Sequence, residues 1–394
     1  MNFAHKVHIS PSRSQTETLD FWLRRCKLLY NSALEQKLEY YRKTGQFLSA
    51  YTQAKELPDI KQSDPSWTHV PNKPLKEALT RLDNTFSKFF KQPGTGFPQF
   101  KNNDNFCSLH FVKTDVKVRD NHLFLPKIKT TIKLSETVKP DYTSVVVKKD
   151  GHHWYVVFKY DDGQQLVYDK EADLKLNSRG IDLGLINILT DSKGNKLKRF
   201  STKLLKKYVQ RILDLNQSLS RCKKGSKNRR KVKQQLRKAY ARLRDTRDDE
   251  YNKHICQYVK RLVSEGVEII ALGDIKVKSI QNKDNKKSKR SLRRSFQNTG
   301  VGKFKEKLSN KCERRGIKVS KVKENYTSKA CSSCCFVNQK LRLSDRVFSC
   351  GNCKLTIDRD ENSAINMEVV RQGQFRPWGV DSSGKKFYLI LGGE

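Results

Sequence analysis

Residues 178–190 read Ser178-Arg179-Gly180-Ile181-Asp182-Leu183-Gly184-Leu185-Ile186-Asn187-Ile188-Leu189-Thr190. Apolar residues flank Asp182 on both sides, so the stretch reads as a buried strand carrying one acid. It leads through Gly184 into a second strand, Ile188–Thr190, and a turn at Asp191-Ser192-Lys193-Gly194. A carboxylate inside such a strand is costly unless a metal or a cation compensates it. Further along, Val267–Leu272 is another buried-type strand, with a helix expected at 303–315, a strand at Ile317–Val322 and a last helix at Asn362–Val370. Two long basic helices lie between these strands. One carries Leu205, Tyr208, Ile212 and Leu215; the other carries Val232, Leu236, Ala239 and Leu243 and continues to Leu262. Their link, Cys222–Arg230, is a cationic turn. Strands with isolated acids and helices between them indicate an α/β sheet of the nuclease type.

The chain has 394 residues, 81 lysines and arginines, 41 acids and a formal net charge of +40. A polyanion, most plausibly a nucleic acid, is the partner such charge implies. Nineteen phenylalanines, fourteen tyrosines and four tryptophans supply a core, which excludes a disordered tail. No apolar run reaches the ~20 residues a membrane span needs, and Met1–Ser10 has no secretory h-region. A location inside the cell is expected.

Upstream of residue 178 the patterns differ. Residues 3–9 suit a strand, and Leu19–Tyr41 is apolar at helical spacing before Gly45. A second helix is expected from Pro74 through Leu75, Leu79, Leu82, Phe86 and Phe89 to a stop before Pro93-Gly94. From Cys107 to Tyr168 the period is two, with hairpin turns at Asp120-Asn121 and Asp150-Gly151. His152 and His153 lack other ligand types nearby and read as structural.

Ten cysteines include five between 331 and 353. Cys331-x2-Cys334 and Cys350-x2-Cys353, fifteen residues apart, can meet one ion tetrahedrally, the arrangement of a structural Zn²⁺. Cys335 is a spare thiol. Phosphodiester hydrolysis by two metal ions about 3.5–4 Å apart needs converging carboxylates. Asp182 is one candidate. Asp360, in Asp358-Arg359-Asp360-Glu361-Asn362-Ser363-Ala364, is another, with a helix N-cap as its plain alternative.

Gly180-Ile181-Asp182-Leu183-Gly184, the four-cysteine element and Asp358-Arg359-Asp360-x-Asn362-x-Ala364-x-Asn366 together resemble the TnpB family. Tyr326-Thr327-Ser328 and the run Phe86–Lys101, with Gly96-Phe97-Pro98-Gln99-Phe100-Lys101, are similar too. The resemblance reaches to about residue 370. It implies a transposon-encoded, RNA-guided DNA endonuclease, related to Fanzor and to CRISPR type V effectors. The implied fold is α/β plus α+β. An N-terminal helical and antiparallel β lobe serves as wedge and recognition region, and an RNase H-like RuvC domain carries the inserted four-cysteine zinc element. The implied division is a β-rich wedge at 1–15 and 102–175, a helical recognition domain at 16–101, RuvC at 176–325 and 354–372, zinc at 326–353 and a tail at 373–394.

By the same resemblance, Asp182 and Asp360 are the first and last RuvC carboxylates holding Mg²⁺, with Asp358 the lesser choice. The middle acid departs from the family pattern. Gly273 stands where many members carry glutamate, and Asp274 beside it would face away. Glu324 closes the next strand and is taken as the third carboxylate, relocated as in part of the Fanzor branch, with Asp274 as the alternative. The implied partners are a guide RNA and double-stranded target DNA, bound by a monomer in a prokaryotic cytoplasm at the nucleoid, or in a nucleus for the eukaryotic branch. Lys76, Arg81, Lys88, Lys91 and Lys101 are candidate phosphate contacts. Tyr40, Tyr41 and Phe97 are expected to pack in the core, with stacking on bases as the alternative, and Lys283–Arg294 to be a mobile basic loop. A nuclease-inactive guided repressor and a guide-independent transposition accessory protein are the other readings.

Overall fold

The computed structural model describes residues 2–102, 105–151, 153–161, 163, 166–274, 290–342, 345–380 and 386–389. The chain divides into two compact units, Met1–Gln165 and Leu166–Glu394.

In the first unit, strand β1 (Asn2–Ile9) leads into helix α1 (Arg13–Thr44). The helix starts six residues before the apolar periodicity does, because Ser12 and Gln15 form a reciprocal capping box. It ends at Gly45, in the left-handed conformation at φ 69°. Two short helices, α2 (Ala50–Lys55) and α3 (Leu57–Ser63), precede α4 (Asn72–Lys91). Pro74 sits within the first turn of α4, where its missing N–H has no intrahelical acceptor to lose. Strand β2 (Ser108–Val112) is followed by a small meander of β3 (Lys117–Arg119), β4 (His122–Phe124) and β5 (Ile132–Lys133). Asp120 and Asn121 both have positive φ, 46° and 60°, as a two-residue β3–β4 hairpin demands.

Strands β6 (Tyr142–Asp150) and β7 (His153–Asp161) complete a sheet of order β1-β7-β6-β2, antiparallel throughout among the described residues. Asp150 pairs with His153, so β6 runs through Asp150 and the turn falls later than expected, with Gly151 in the left-handed conformation at φ 65°; His152 lies outside the described residues. The sheet packs Val7, Phe111, Val145 and Phe158 against Trp22 and Leu19 of α1.

In the second unit, α5 (Lys170–Leu174) precedes β8 (Ser178–Asp182), β9 (Asn187–Asp191) and β10 (Lys196–Lys198). The helical pair α6 (Thr202–Arg221) and α7 (Lys227–Ser264) then leads to β11 (Ile269–Gly273). Helices α8 (Arg290–Thr299) and α9 (Val301–Glu313) return the chain to β12 (Lys318–Val322). Among the described residues the sheet order is β10-β9-β8-β11-β12. The first three strands are antiparallel; β11 runs parallel to both β8 and β12. Tyr251, Tyr258, Leu262, Phe304 and Leu308 cover it.

Residues 283–289 of the expected basic loop lie outside the described residues, whereas 290–294 belong to α8, a correction to that reading. A second small element pairs β13 (Val347–Ser349) with β14 (Thr356–Asp358), and helix α10 (Arg359–Arg371) follows at once. Past it, β15 (Trp378–Val380) pairs with β16 (Lys386–Tyr388). Trp378 donates its indole N–H to the Cys334 carbonyl at 2.7 Å, so the segment left unassigned in the sequence clasps the cysteine element. No helix of the described residues is long and apolar enough to cross a membrane.

Candidate active site and metal centre

Asp182 is the last residue of β8, next to the strand partner Thr190. Helix α10 lies flush on this strand because Gly180 has no side chain. A Cβ there would stand 1.8 Å from the Ala364 carbonyl oxygen. The helix begins three residues earlier than periodicity suggests, and the reason decides the role of Asp360. Asp358, not Asp360, is the N-cap: its Oδ1 accepts from the N–H groups of Asp360 and Glu361 at 3.0 and 3.2 Å. Its Oδ2 takes the Lys196 ammonium at 2.6 Å. Burial works against ionisation of Asp358, but these donors hold its carboxyl below the usual range. Asp360 is thereby freed from capping. Its buried carboxylate faces Arg359 at 3.2 Å and Arg346 at 3.9 Å.

Glu324 lies two residues past β12, on the loop entering the cysteine element. Its side chain fills the room left by Gly273: Oε1 would be 1.9 Å, and Cδ 2.7 Å, from a Cβ at position 273. Strand pairing sets Gly273 beside Val322, which brings the loop after β12 to the end of β11. The Glu324 Oε1 is buried and has no hydrogen-bond partner among the described residues. Burial, with Asp274 adding repulsion and Lys305 opposing, pushes the Glu324 carboxyl up to about 7. Asp182 is likewise pushed up to about 7, by burial and then by the charges of Asp360 and Glu324. Ser363 partly offsets this by donating to Asp182 Oδ1 at 3.3 Å. Asp182 thus feels the charges of both other acids, although among the described residues only the cysteines below form a close group of metal-ligating atoms. Asp274 is engaged elsewhere: Lys305 bonds its Oδ1 at 3.0 Å and the Gly273 carbonyl at 2.8 Å.

The sulfurs of Cys331, Cys334, Cys350 and Cys353 all lie within 4.8 Å of one another. Cys331 and Cys353 are 3.5 Å apart and Cys334 and Cys350 3.6 Å. A tetrahedral ion with bonds of about 2.3 Å places its sulfurs about 3.8 Å apart. The donor set and its dimensions therefore suit a metal ion. Burial raises the Cys331 thiol, whereas the Leu355 N–H draws the Cys353 thiol down to about 7. Cys335 stands outside the cluster, packed among Ala330, Val337 and Phe375.

Sequence reasoning gave Asn362, Ser363 and Asn366 no role. All three are fully buried. Asn362 accepts from the Ser332 N–H and donates to the Ala330 carbonyl; Asn366 donates to the carbonyls of Thr327 and Ala330. Ser363 also bonds Thr327. One face of α10 thus ties the first cysteine knuckle to the strand bearing Asp182. Small polar residues at i, i+1 and i+4, together on one side of the helix, were the available signal.

On the first unit, Lys76, Lys88 and Lys91 are exposed as expected. Arg81 is not free for phosphate: it is bonded to the Ser108 carbonyl and lies over Phe106. Lys101 lies over Tyr30. Tyr40, Tyr41 and Phe97 are not core residues but 36%, 49% and 42% exposed. Tyr40 and Tyr41 occupy the last turn of α1 and Phe97 follows α4, beyond the buried stripes of both helices.

An acid-bearing mixed α/β sheet joined to a four-thiol element defines the class. Three family models match this chain: "Cas12f1-like, TNB domain" at residues 302–367, "Probable transposase" (OrfB_IS605) at 165–279, and its "Helix-turn-helix domain" at 1–46. These matches, with relatives named RNA-guided DNA endonuclease and TnpB-like protein, make the chain similar to the TnpB family. It is similar to the "Putative RNA-guided DNA endonuclease InsQ" of Escherichia coli (strain K12), 25% identical over 92% of this chain and 91% of that protein. It is also similar to the "TnpB-like protein L770" of Acanthamoeba polyphaga mimivirus, 24% identical over 95% and 74%. Among solved structures, the mini-RNA-guided endonuclease CRISPR-Cas_phi3 covers 94% of this chain and 92% of its own at 11% identity and a TM-score of 0.48.

Proposed function

We propose that the chain is an RNA-guided DNA endonuclease whose cutting centre is Asp182, Glu324 and Asp360. The observation that carries the reading is the occupation of the Gly273 space by the Glu324 side chain, with a buried and unpartnered Oε1. A residue lost from one strand end is matched by a carboxylate entering from its neighbour. Hard oxygen donors of this kind suit Mg²⁺. Two Mg²⁺ ions, when bound, would supply an activated water and stabilisation of the leaving oxygen. Asp182, Glu324 and Asp360 would hold them, and Ser363 would orient Asp182 through its Oδ1. Asp358 is left to cap the helix, and Lys305 keeps Asp274 engaged.

On this reading the second unit is an RNase H-like RuvC domain. The antiparallel β10-β9-β8 run, extended by parallel β11 and β12, supports it. The four thiols, with every tetrahedral position filled by sulfur, would hold a structural Zn²⁺. Base pairing with a guide RNA would choose the double-stranded target, and the first unit would serve as the wedge and recognition lobe. The chain would act as a monomer in the cytoplasm of a prokaryotic host.

The test is cleavage of a matched plasmid in Mg²⁺ by the protein loaded with a reprogrammed guide RNA. Wild type is expected to cut, and Asp182→Ala and Glu324→Ala to lose cutting while keeping guided binding. Cutting by Asp182→Ala would overturn the assignment. Cutting by Glu324→Ala alone would remove Glu324 from it. Guided binding by wild type without any cutting would favour the repressor.

A further inference from the structure

The second cysteine of the first knuckle is followed by a residue whose backbone favours glycine. Cys335 has φ 60°, where an L side chain crowds the main chain. Lys354 holds the same place after Cys353, at φ 66°, so the positive angle belongs to the turn that each Cys-x2-Cys knuckle makes. A strained residue of this kind persists only where its surroundings over-determine it. At Cys335 those surroundings are Trp378. The peptide before Cys335 is pinned at both ends: its carbonyl, that of Cys334, accepts from the Trp378 indole N–H at 2.7 Å, and its N–H donates to the Cys331 carbonyl at 2.9 Å. The peptide after Cys335 is pinned by the same tryptophan, whose backbone N–H donates to the Cys335 carbonyl at 3.1 Å.

Trp378 is itself firmly held. Its carbonyl accepts from the Val337 N–H at 2.8 Å, its ring meets Phe336 edge to face with centroids 5.0 Å apart, and the Lys386 ammonium lies 4.4 Å from a ring centre. Pairing with Tyr388 across β15 and β16 completes the support. Rotation about the Cys335 backbone would swing the Cys334 peptide, and with it the Cys334 sulfur, which stands 3.6 Å from that of Cys350. A knuckle relaxed in this way opens the four-thiol group. Groups that fix ligands from behind commonly set metal affinity within a factor of roughly 10–100, and Trp378 does so from forty-four residues away in the sequence.

We infer that Trp378 is a positioning residue of the metal centre: its two donors hold Cys335 in the left-handed conformation that lets Cys331 and Cys334 share one ion. The inference rests on the reading that the four thiols hold Zn²⁺. The test follows Zn²⁺ release from the full chain to a chromogenic chelator, and Co²⁺ binding to the metal-free chain through thiolate-to-metal absorption. Trp378→Phe keeps a ring and the backbone donor but loses the indole N–H. It is expected to release Zn²⁺ about tenfold faster and to bind Co²⁺ about tenfold more weakly. Its saturated spectrum should match wild type, because the four sulfurs are unchanged. Adding Cys335→Gly, which takes up positive φ without strain, should restore most of the loss. Adding Cys335→Ala, which removes the same thiol but keeps a Cβ, should not. The same comparison runs without touching Trp378: with the tryptophan in place, Cys335→Gly should retain Zn²⁺ longer than Cys335→Ala. A tryptophan that only fills space would not make glycine differ from alanine. Release from Trp378→Phe at the wild-type rate would overturn the inference, as would equal rates for the glycine and alanine variants. A wild-type chain that carries no Zn²⁺ and gives no thiolate-to-Co²⁺ band would overturn the zinc reading itself, and the inference with it.

Discussion

At position 273 a hydrogen in place of a side chain leaves the space that the Glu324 carboxyl enters. Because a Cβ there would meet Glu324 Oε1 at 1.9 Å, Gly273→Ala is expected to expel the Glu324 carboxylate and lower cleavage roughly a hundredfold, the size of effect a misplacement of about 1 Å can have. The exchanged pair Gly273→Glu with Glu324→Gly should recover part of the rate, read in single-turnover cleavage; no recovery would show that the two positions do not share one space. Asp182 and Glu324, both raised to about 7, make a pH prediction with a definite sign. Each carboxyl must shed its proton to hold a cation, so Mg²⁺ affinity should fall by roughly ten- to a hundredfold per unit as pH drops below 7. In metal-free protein these acids bind protons more tightly folded than unfolded. Their contribution to stability is full below about pH 4 and is lost as pH rises through 7. Asp182→Asn should therefore stabilise the metal-free protein at pH 8, by roughly 1–2 kcal/mol after solvent screening, measured by chemical denaturation. Asp182 and Asp360 were legible as candidates from the sequence. Which aspartate caps α10 was not, because Asp358 and Asp360 are chemically alike and only backbone geometry separates them.

Among the elements, α10 joins the acids to the cysteine knuckle, and its closeness to β8 rests on Gly180. Gly180→Ala would set a methyl group 1.8 Å from the Ala364 carbonyl, which the helix can relieve only by moving away from the strand. A loss of about 1–3 kcal/mol, the usual cost of overpacking, is expected in thermal denaturation, together with slower cleavage as Asp360 withdraws from Asp182. Element types followed from periodicity: the strands, the long helices and the Asp120-Asn121 hairpin lie where the alternation places them, while the β6–β7 turn falls past Asp150. Their ends did not, since ends are set by caps. Ser12 with Gln15 extends α1 toward its N-terminus, and Asp358 does the same for α10. Neither signal is apolar, so hydrophobic spacing is blind to both.

For the molecule as a whole, each unit has its own core: the first packs Trp22, Phe111 and Phe158, the second Ile181, Tyr258 and Phe304. Calorimetry of the full chain should accordingly resolve two transitions. If the cysteines hold the proposed metal, its chelation should lower the second alone, and with it cleavage, because Asn362 and Asn366 fasten the Cys331 knuckle to the helix carrying Asp360. A single transition shifted as one by chelation would contradict this division. Charge, the cysteine spacing and the acid within an apolar strand were determined by the sequence alone, since each is a local property of residue type and spacing. The entry of Glu324 into the space of Gly273, the release of Asp360 from capping and the clasp of Trp378 on the cysteine element were decided only by the tertiary structure. Each depends on atoms tens or hundreds of residues apart meeting within a few ångströms, a distance that strand register and close helix packing set and that no local pattern encodes.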